Sequence, residues 1–312
     1  MTRMRGLSVM SRAWSRFWFT PEPADNLALS RLVFFTLLAF FYLPHDFSAW
    51  GTVSVAYWQP LWLFRFLHLP LLSPDAITIL QSIWKVALFA AAVGFCTRTS
   101  MMVVAALGTY LLGLGHNFGQ VYHFDAILVL AFWILAFSRA GDAWSIDAWR
   151  HGRATVADAE YRWPVQLILV TQALVFFAAG IAKLWTSGAE WFLSDHLALL
   201  LQRVQYHISD ADPLVPWGSF IASSPLLYHG MALSTVVIET AYPLALFSRR
   251  LRVPLVLAGM GLVVGIRALM GPTFEHFLFI NVFWLPWDRI ARTVRARAAR
   301  RTAQPVPVRG TQ

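Results

Sequence analysis

Of the 25 lysine and arginine residues, 23 are arginine, and the two lysines, Lys85 and Lys183, both fall inside long apolar stretches. A coding bias explains an arginine excess but not why the two exceptions sit where a cation is costly. Arginine stays protonated in proteins, whereas a desolvated lysine amine can lose its proton and act as a base. The chemistry this points to is general-base catalysis by an amine. Counted from the outer ends of their helices, Lys85 and Glu239 both lie roughly 12 to 14 Å deep. They are therefore expected to form a structural ion pair or part of a polar path. Lys183 lies nearer the end of its helix, with no carboxylate partner that spacing reveals. Gln172, Phe176, Ala179 and Lys183 recur at offsets of 4, 3 and 4, which puts them on one helical face. Ala178, Gly180 and Ala182 leave room there for a neighbouring helix or a flat ligand. The competing reading is a lysine that snorkels to the interface beside Trp185.

The elements that must position these side chains are membrane helices. The chain is 58% hydrophobic and 13% charged, with a mean hydropathy of +0.56, whereas a soluble domain is about a quarter charged. Its apolar runs are continuous rather than alternating, which excludes a transmembrane barrel. The single cysteine, Cys96, excludes an internal disulfide and cysteine-ligated clusters. An all-α, polytopic membrane helix bundle is expected, with about eight transmembrane helices: Leu27 to Leu43, Ala76 to Phe95, Met101 to Leu114, Phe124 to Phe137, Pro164 to Trp185, Met231 to Phe247, Val253 to Met270 and Phe274 to Trp287. Gly6 to Phe19, where Trp14, Phe17 and Trp18 alternate with Arg12 and Arg16, reads as an interfacial helix. This divides the chain into a cytoplasmic or interfacial segment 1–26, one transmembrane domain 27–287 and a basic cytoplasmic tail 288–312. No cleavable signal peptide is evident, so the first span is expected to serve as its own insertion signal.

Basic residues crowd the termini and alternate connections, so both termini are expected in the cytoplasm of a multi-pass cell-membrane protein. Nucleic acid is not an expected partner, because the arginines flank spans; membrane lipids are. Eight of the nine histidines then fall on the outer side. Spans 3, 4 and 8 are short, about 21 Å each against a hydrocarbon core of about 30 Å. Their polar ends should begin below the outer surface and line a recessed, outward-opening pocket. His116, Asn117, Tyr122, Gln172, Gly180, Arg267, Glu275 and His276 are its candidate binding residues. His123 beside Asp125 reads either as an oriented acid or base or as a satisfied helix-start histidine. Arg267 with Glu275 and His276 reads as a salt bridge pinning a hairpin, or as a site for an anionic or carbonyl group. The histidine spacings fit no metal-ligand pattern, and no metal is expected. Arg31 is expected to snorkel to the cytoplasmic interface.

Several blocks carry a family resemblance: Trp14-Ser15-Arg16-Phe17 leading to Leu27-Ala28-Leu29-Ser30-Arg31, Tyr122-His123, Trp144-Ser145-Ile146-Asp147, and Ala179-Gly180-Ile181-Ala182-Lys183-Leu184 followed by Trp191. Over roughly residues 10 to 290 the chain resembles the HTTM (horizontally transferred transmembrane) domain, the membrane domain shared by vitamin K-dependent γ-glutamyl carboxylase and many bacterial proteins. The resemblance implies that Lys183 is the base that deprotonates a reduced, vitamin K-like isoprenoid quinone, supported by His123. It further implies reaction of the quinol with O2 and removal of a γ-proton from a peptide glutamate, which captures CO2. An exported peptide or protein is then a partner. The block around Trp191 departs from the pattern, with Ser194 where a glycine is expected, and no peptide-docking part is expected after the last span. The alternatives to an enzyme are a transporter or permease using Lys85 and Glu239, or a maturation partner for an exported protein.

Overall fold

Continuous apolar runs produce helices because each backbone polar group must find its partner within the segment. The computed structural model describes residues 12–119, 123–152, 156–206, 212–272 and 274–302, without the side chains of 123, 124 and 298–302. Among the described residues there is no strand, only one backbone bridge between Glu22 and Asp158. The helices that carry the architecture are α1 (Asp25–Tyr42), α2 (Pro74–Val93), α3 (Thr97–Gly113), α4 (His123–Ala136), α5 (Trp163–Ser187), α6 (His196–Gln205), α7 (Pro225–Ala241), α8 (Arg249–Met270), α9 (Glu275–Ile280) and α10 (Trp287–Thr302). The chain packs α1 on α2, α2 on α3 and α3 on α4; α5 pairs with α7, and α10 returns to α1.

Among the described residues, five helical stretches are long and apolar enough to cross a membrane: Asp25–Tyr42, Pro74–Val93, Thr97–Phe118, Ala159–Ser187 and Arg249–Met270. The other three expected spans form shorter or interrupted helices. The run from Met231 to Phe247 is cut by Pro243, which lacks the N–H a helix needs, so α7 ends at Ala241. The run from Phe274 to Trp287 breaks because Asn281 turns its side-chain amide back to the Phe277 carbonyl (2.9 Å) and a 3₁₀ turn follows. The run from Phe124 to Phe137 becomes α4, a helix of 14 residues. Of the expected N-terminal interfacial helix, the part through Ser11 lies outside the described residues, and 12–19 is helical. α10 is docked rather than free: Arg295 reaches both oxygens of Asp25 (2.7 and 3.0 Å).

One end of the bundle is welded by the Trp144-Ser145-Ile146-Asp147 block. Ser145 caps the helix that begins at Ile146, accepting from the Ala148 N–H at 2.8 Å. Asp147 accepts from the backbone N–H groups of Cys96 (3.1 Å) and Thr97 (2.6 Å), which caps α3 from outside its own chain segment. Trp144 donates its indole N–H to Asp25 (2.7 Å). Its carbonyl accepts from Arg31 (2.5 Å), and this overturns the expected snorkelling, since Arg31 is 0% exposed. The guanidinium fits because α2 ends at Gly94 in the left-handed conformation (φ 70°); a Cβ there would lie 2.2 Å from Arg31 Nη1.

Partial burial pushes the Asp147 carboxyl up, but the hydrogen bonds from Thr97 and Cys96 outweigh it and hold the group below the ordinary aspartate range. A depressed folded-state value stabilises above the unfolded one, near pH 3.9, and that contribution is lost as pH falls through the folded value. Asp147→Ala is therefore expected to cost about 2 kcal/mol at neutral pH, read as a lowered Tm. The gap from wild type should narrow below about pH 4.

Candidate functional site

Small residues set the register of α5 on α7, and that register brings two buried charges together. At Gly180 a Cβ would lie 2.8 Å from Thr240 Cγ2 and 3.0 Å from both Glu239 Cβ and the Thr240 backbone nitrogen. One helical turn onward, Lys183 Nζ donates to both oxygens of Glu239, at 2.8 and 2.7 Å. The side chains are 19% and 8% exposed. The Trp191 ring lies 5.4 Å from the same Nζ, so the ammonium is held between a carboxylate and an aromatic face.

This corrects the expected pairing of Lys85 with Glu239. Lys85 instead donates to the backbone carbonyls of Leu43 (3.0 Å) and His45 (2.6 Å) after α1. Depth counted from the ends of apolar runs misled because α7 starts at Pro225, ahead of the run that begins at Met231. A short-helix segment, including Glu190–Leu193, α6 and Gly218–Ala222, separates the end of α5 from that start. The competing reading of Lys183 as an interfacial anchor fails on the same contacts.

The pair sits at the wall of a cavity of about 180 Å³, whose other lining includes Phe176, Ala179, Leu262, Phe274 and Phe277. Below it Phe176 stacks on Tyr242 with centroids 4.3 Å apart, and Gln172 is fully buried. Gln172 donates to Asn281 (3.1 Å) and accepts from the Trp284 indole (2.9 Å). It therefore ties α5 to the chain beyond α9 and does not line the cavity.

α9 divides this cavity from a second one. Phe277 faces the lysine cavity, while its neighbour His276 lines a space of about 280 Å³ with Tyr42, His45, His116 and Asp125. Asp125 bridges two histidines there, His116 at 3.0 Å and His276 at 3.3 Å. Tyr42 OH lies 2.8 Å from His276 Nε2. That one nitrogen meets both groups but serves one role in each protonation state: unprotonated it accepts from the Tyr42 O–H, and protonated it donates to Asp125. Sequence reasoning noted Asp125 only as a neighbour of His123 and missed Tyr42, because their meeting joins three helices remote in sequence. Glu275 Oε2 is buried with no hydrogen-bond partner among the described residues.

The remaining expected residues divide clearly. Asn117 spends its side chain on backbone, accepting from Leu61 N–H (2.8 Å) and donating to the Gly113 carbonyl (2.7 Å). The expected bridge from Arg267 to Glu275 and His276 does not form. Arg267 donates instead to the carbonyls of Asp212 (2.7 Å) and Gly271 (3.0 Å), the second being one of the carbonyls that a helix C-terminus leaves without an intrahelical donor. Tyr122 and the His123 side chain lie outside the described residues.

Gly180→Ala would gain about 1 kcal/mol of helix propensity, but overpacking costs about 1–3 kcal/mol and the Thr240 nitrogen is backbone that cannot swing aside. The variant is expected to lower the Tm of the detergent-purified protein, and Gly180→Val to lower it further. A Gly180→Val protein as stable as wild type contradicts this close approach.

Comparison with curated proteins and with solved structures finds no match. A match to the HTTM domain covers residues 19–266, which takes in α1 through most of α8 and both members of the buried ion pair. The chain belongs to the HTTM domain family of membrane proteins.

Proposed function

We propose that this chain is a membrane enzyme of the vitamin K-dependent carboxylase kind, working on a reduced isoprenoid quinone with Lys183 as general base. The observation that carries the reading is that Lys183, and not Lys85, meets a carboxylate at the wall of an apolar cavity. In the same reading the chain crosses the cell membrane about eight times with both termini cytoplasmic and residues 6–19 lying along the inner interface. Both cavities then open outward, where an exported peptide or protein could be met.

The residues present fit such a group. Phe176, Phe274, Phe277 and the aliphatic wall suit a flat apolar ring, and Lys183 supplies the one amine. An adjoining apolar groove of about 280 Å³ shares Leu262 and Ile266 with the first cavity and would continue the lining along a prenyl chain. A reduced quinone, when bound, supplies an acidic hydroxyl and reducing electrons. The work of the protein is to keep water out and to place a proton acceptor. Passage of one proton along the 2.7 Å hydrogen bond from Lys183 Nζ to Glu239 leaves a neutral amine beside a neutral acid, which an apolar wall tolerates. With such a group bound, Nζ would be placed to take up a proton, Glu239 would retain the first, and the Trp191 face would steady the ammonium.

Reconstituted protein supplied with a reduced isoprenoid naphthoquinone should take up oxygen. Lys183→Arg should keep the helical circular dichroism of wild type while the rate falls at least about 100-fold. Glu239→Gln, which leaves the amine without its proton acceptor, should fall in the same direction. Wild-type oxygen uptake by Lys183→Arg ends the proposal.

A further inference from the structure

A cavity of about 600 Å³ lies at the other end of the bundle, between the N-terminal ends of α5, α8 and α10. Four arginines line it, Arg162, Arg249, Arg252 and Arg289, against two carboxylates, Glu22 and Asp288. Both carboxylates are already spoken for: Glu22 pairs with Arg162 and Asp288 with Arg292 at 2.7 Å. Arg249, Arg252 and Arg289 therefore have no carboxylate partner among the described residues. Arg252 is fixed, donating from Nε to the Ala245 carbonyl (3.1 Å) and lying 5.6 Å from the Trp284 ring. It stands within electrostatic reach of Arg249 and Arg162, and of the single carboxylate of Glu22. Like charges gathered this closely repel, and three helix N-termini add positive potential at the same place. Such an arrangement is relieved by an anion.

We propose that this cavity binds the phosphate of an anionic membrane lipid. The shared chemistry is a phosphate group, and the setting selects the lipid as its source. Arg249 and Arg252 open a helix long and apolar enough to cross a membrane, so the site lies at headgroup level. Phe247 and Val253, both lining residues, are 72% and 62% exposed, which gives acyl chains an apolar surface beside the arginines.

The test is native mass spectrometry of the full chain in detergent, with phosphatidylglycerol, phosphatidylcholine or sn-glycerol 3-phosphate added. Wild type is expected to retain phosphatidylglycerol about tenfold better than phosphatidylcholine, and Arg249→Gln/Arg289→Gln to lose about tenfold of that retention. Both replaced side chains are solvent-facing, and an unchanged Tm without added lipid confirms that the variant folds. Should the double variant unfold, Arg289→Gln alone is expected to lower retention severalfold. Equal retention of the two lipids, or variants that retain phosphatidylglycerol as wild type does, overturns the site. Glycerol phosphate binding as tightly as the lipid overturns the lipid as its source.

Discussion

A lysine and a glutamate inside apolar helices can persist only if each neutralises the other, because either one alone would carry an uncompensated charge into a medium that cannot solvate it. The contact between Lys183 and Glu239 answers that constraint, and much of the surrounding structure is arranged around it. Gly180 lets the two helix backbones close. Trp191 covers the amine, and the stacked Phe176 and Tyr242 close the space below with apolar surface. Under the proposed function the lysine has a reason to stand there among so many arginines: a guanidinium holds its proton and could not exchange one with its partner.

The six-residue helix α9 gives the candidate site its two-sided form. Its aromatic face completes the lysine cavity, while His276 joins Asp125, His116 and Tyr42 in a hydrogen-bonded group on the other side. The helix stops after Ile280, where Asn281 returns its amide to the Phe277 carbonyl and accepts from Gln172. The opposite end of the bundle works by different means. There Arg31, Asp25, Trp144 and Asp147 cross-link α1, α3, α10 and the connection after α4 through a compact set of hydrogen bonds. The resemblance blocks thus divide their labour, with Trp144 to Asp147 holding the fold and Gly180 to Lys183 building the cavity.

The helical character was legible because backbone satisfaction in an apolar medium leaves continuous runs in the sequence. Lys183 and Glu239 were legible as rare charges in such runs, yet their partnership was not. Which charges meet depends on the register of α5 against α7, and one glycine-sized contact sets it rather than the helix ends. Arg31 misled for a similar reason: its acceptor is a carbonyl 113 residues away, and its space exists because Gly94 has no side chain. Pro243 and Asn281 did carry readable signals for the two broken helices, a missing N–H and a side chain that competes for backbone, but hydropathy averaged over the runs hides single residues. The Asp125 cluster combines residues from α1, the turn after α3, α4 and α9, and no spacing within one segment reveals it.

Because the chain has two lysines, protein labelled with ¹⁵N-lysine offers two side-chain amine signals, assigned by the loss of one in Lys183→Arg. The account predicts that replacing Glu239 with glutamine moves the Lys183 signal and leaves that of Lys85 in place, and that an added isoprenoid quinone likewise moves Lys183 alone. A Lys183 signal indifferent to Glu239, with the exchange behaviour of an amine in bulk water, would contradict it.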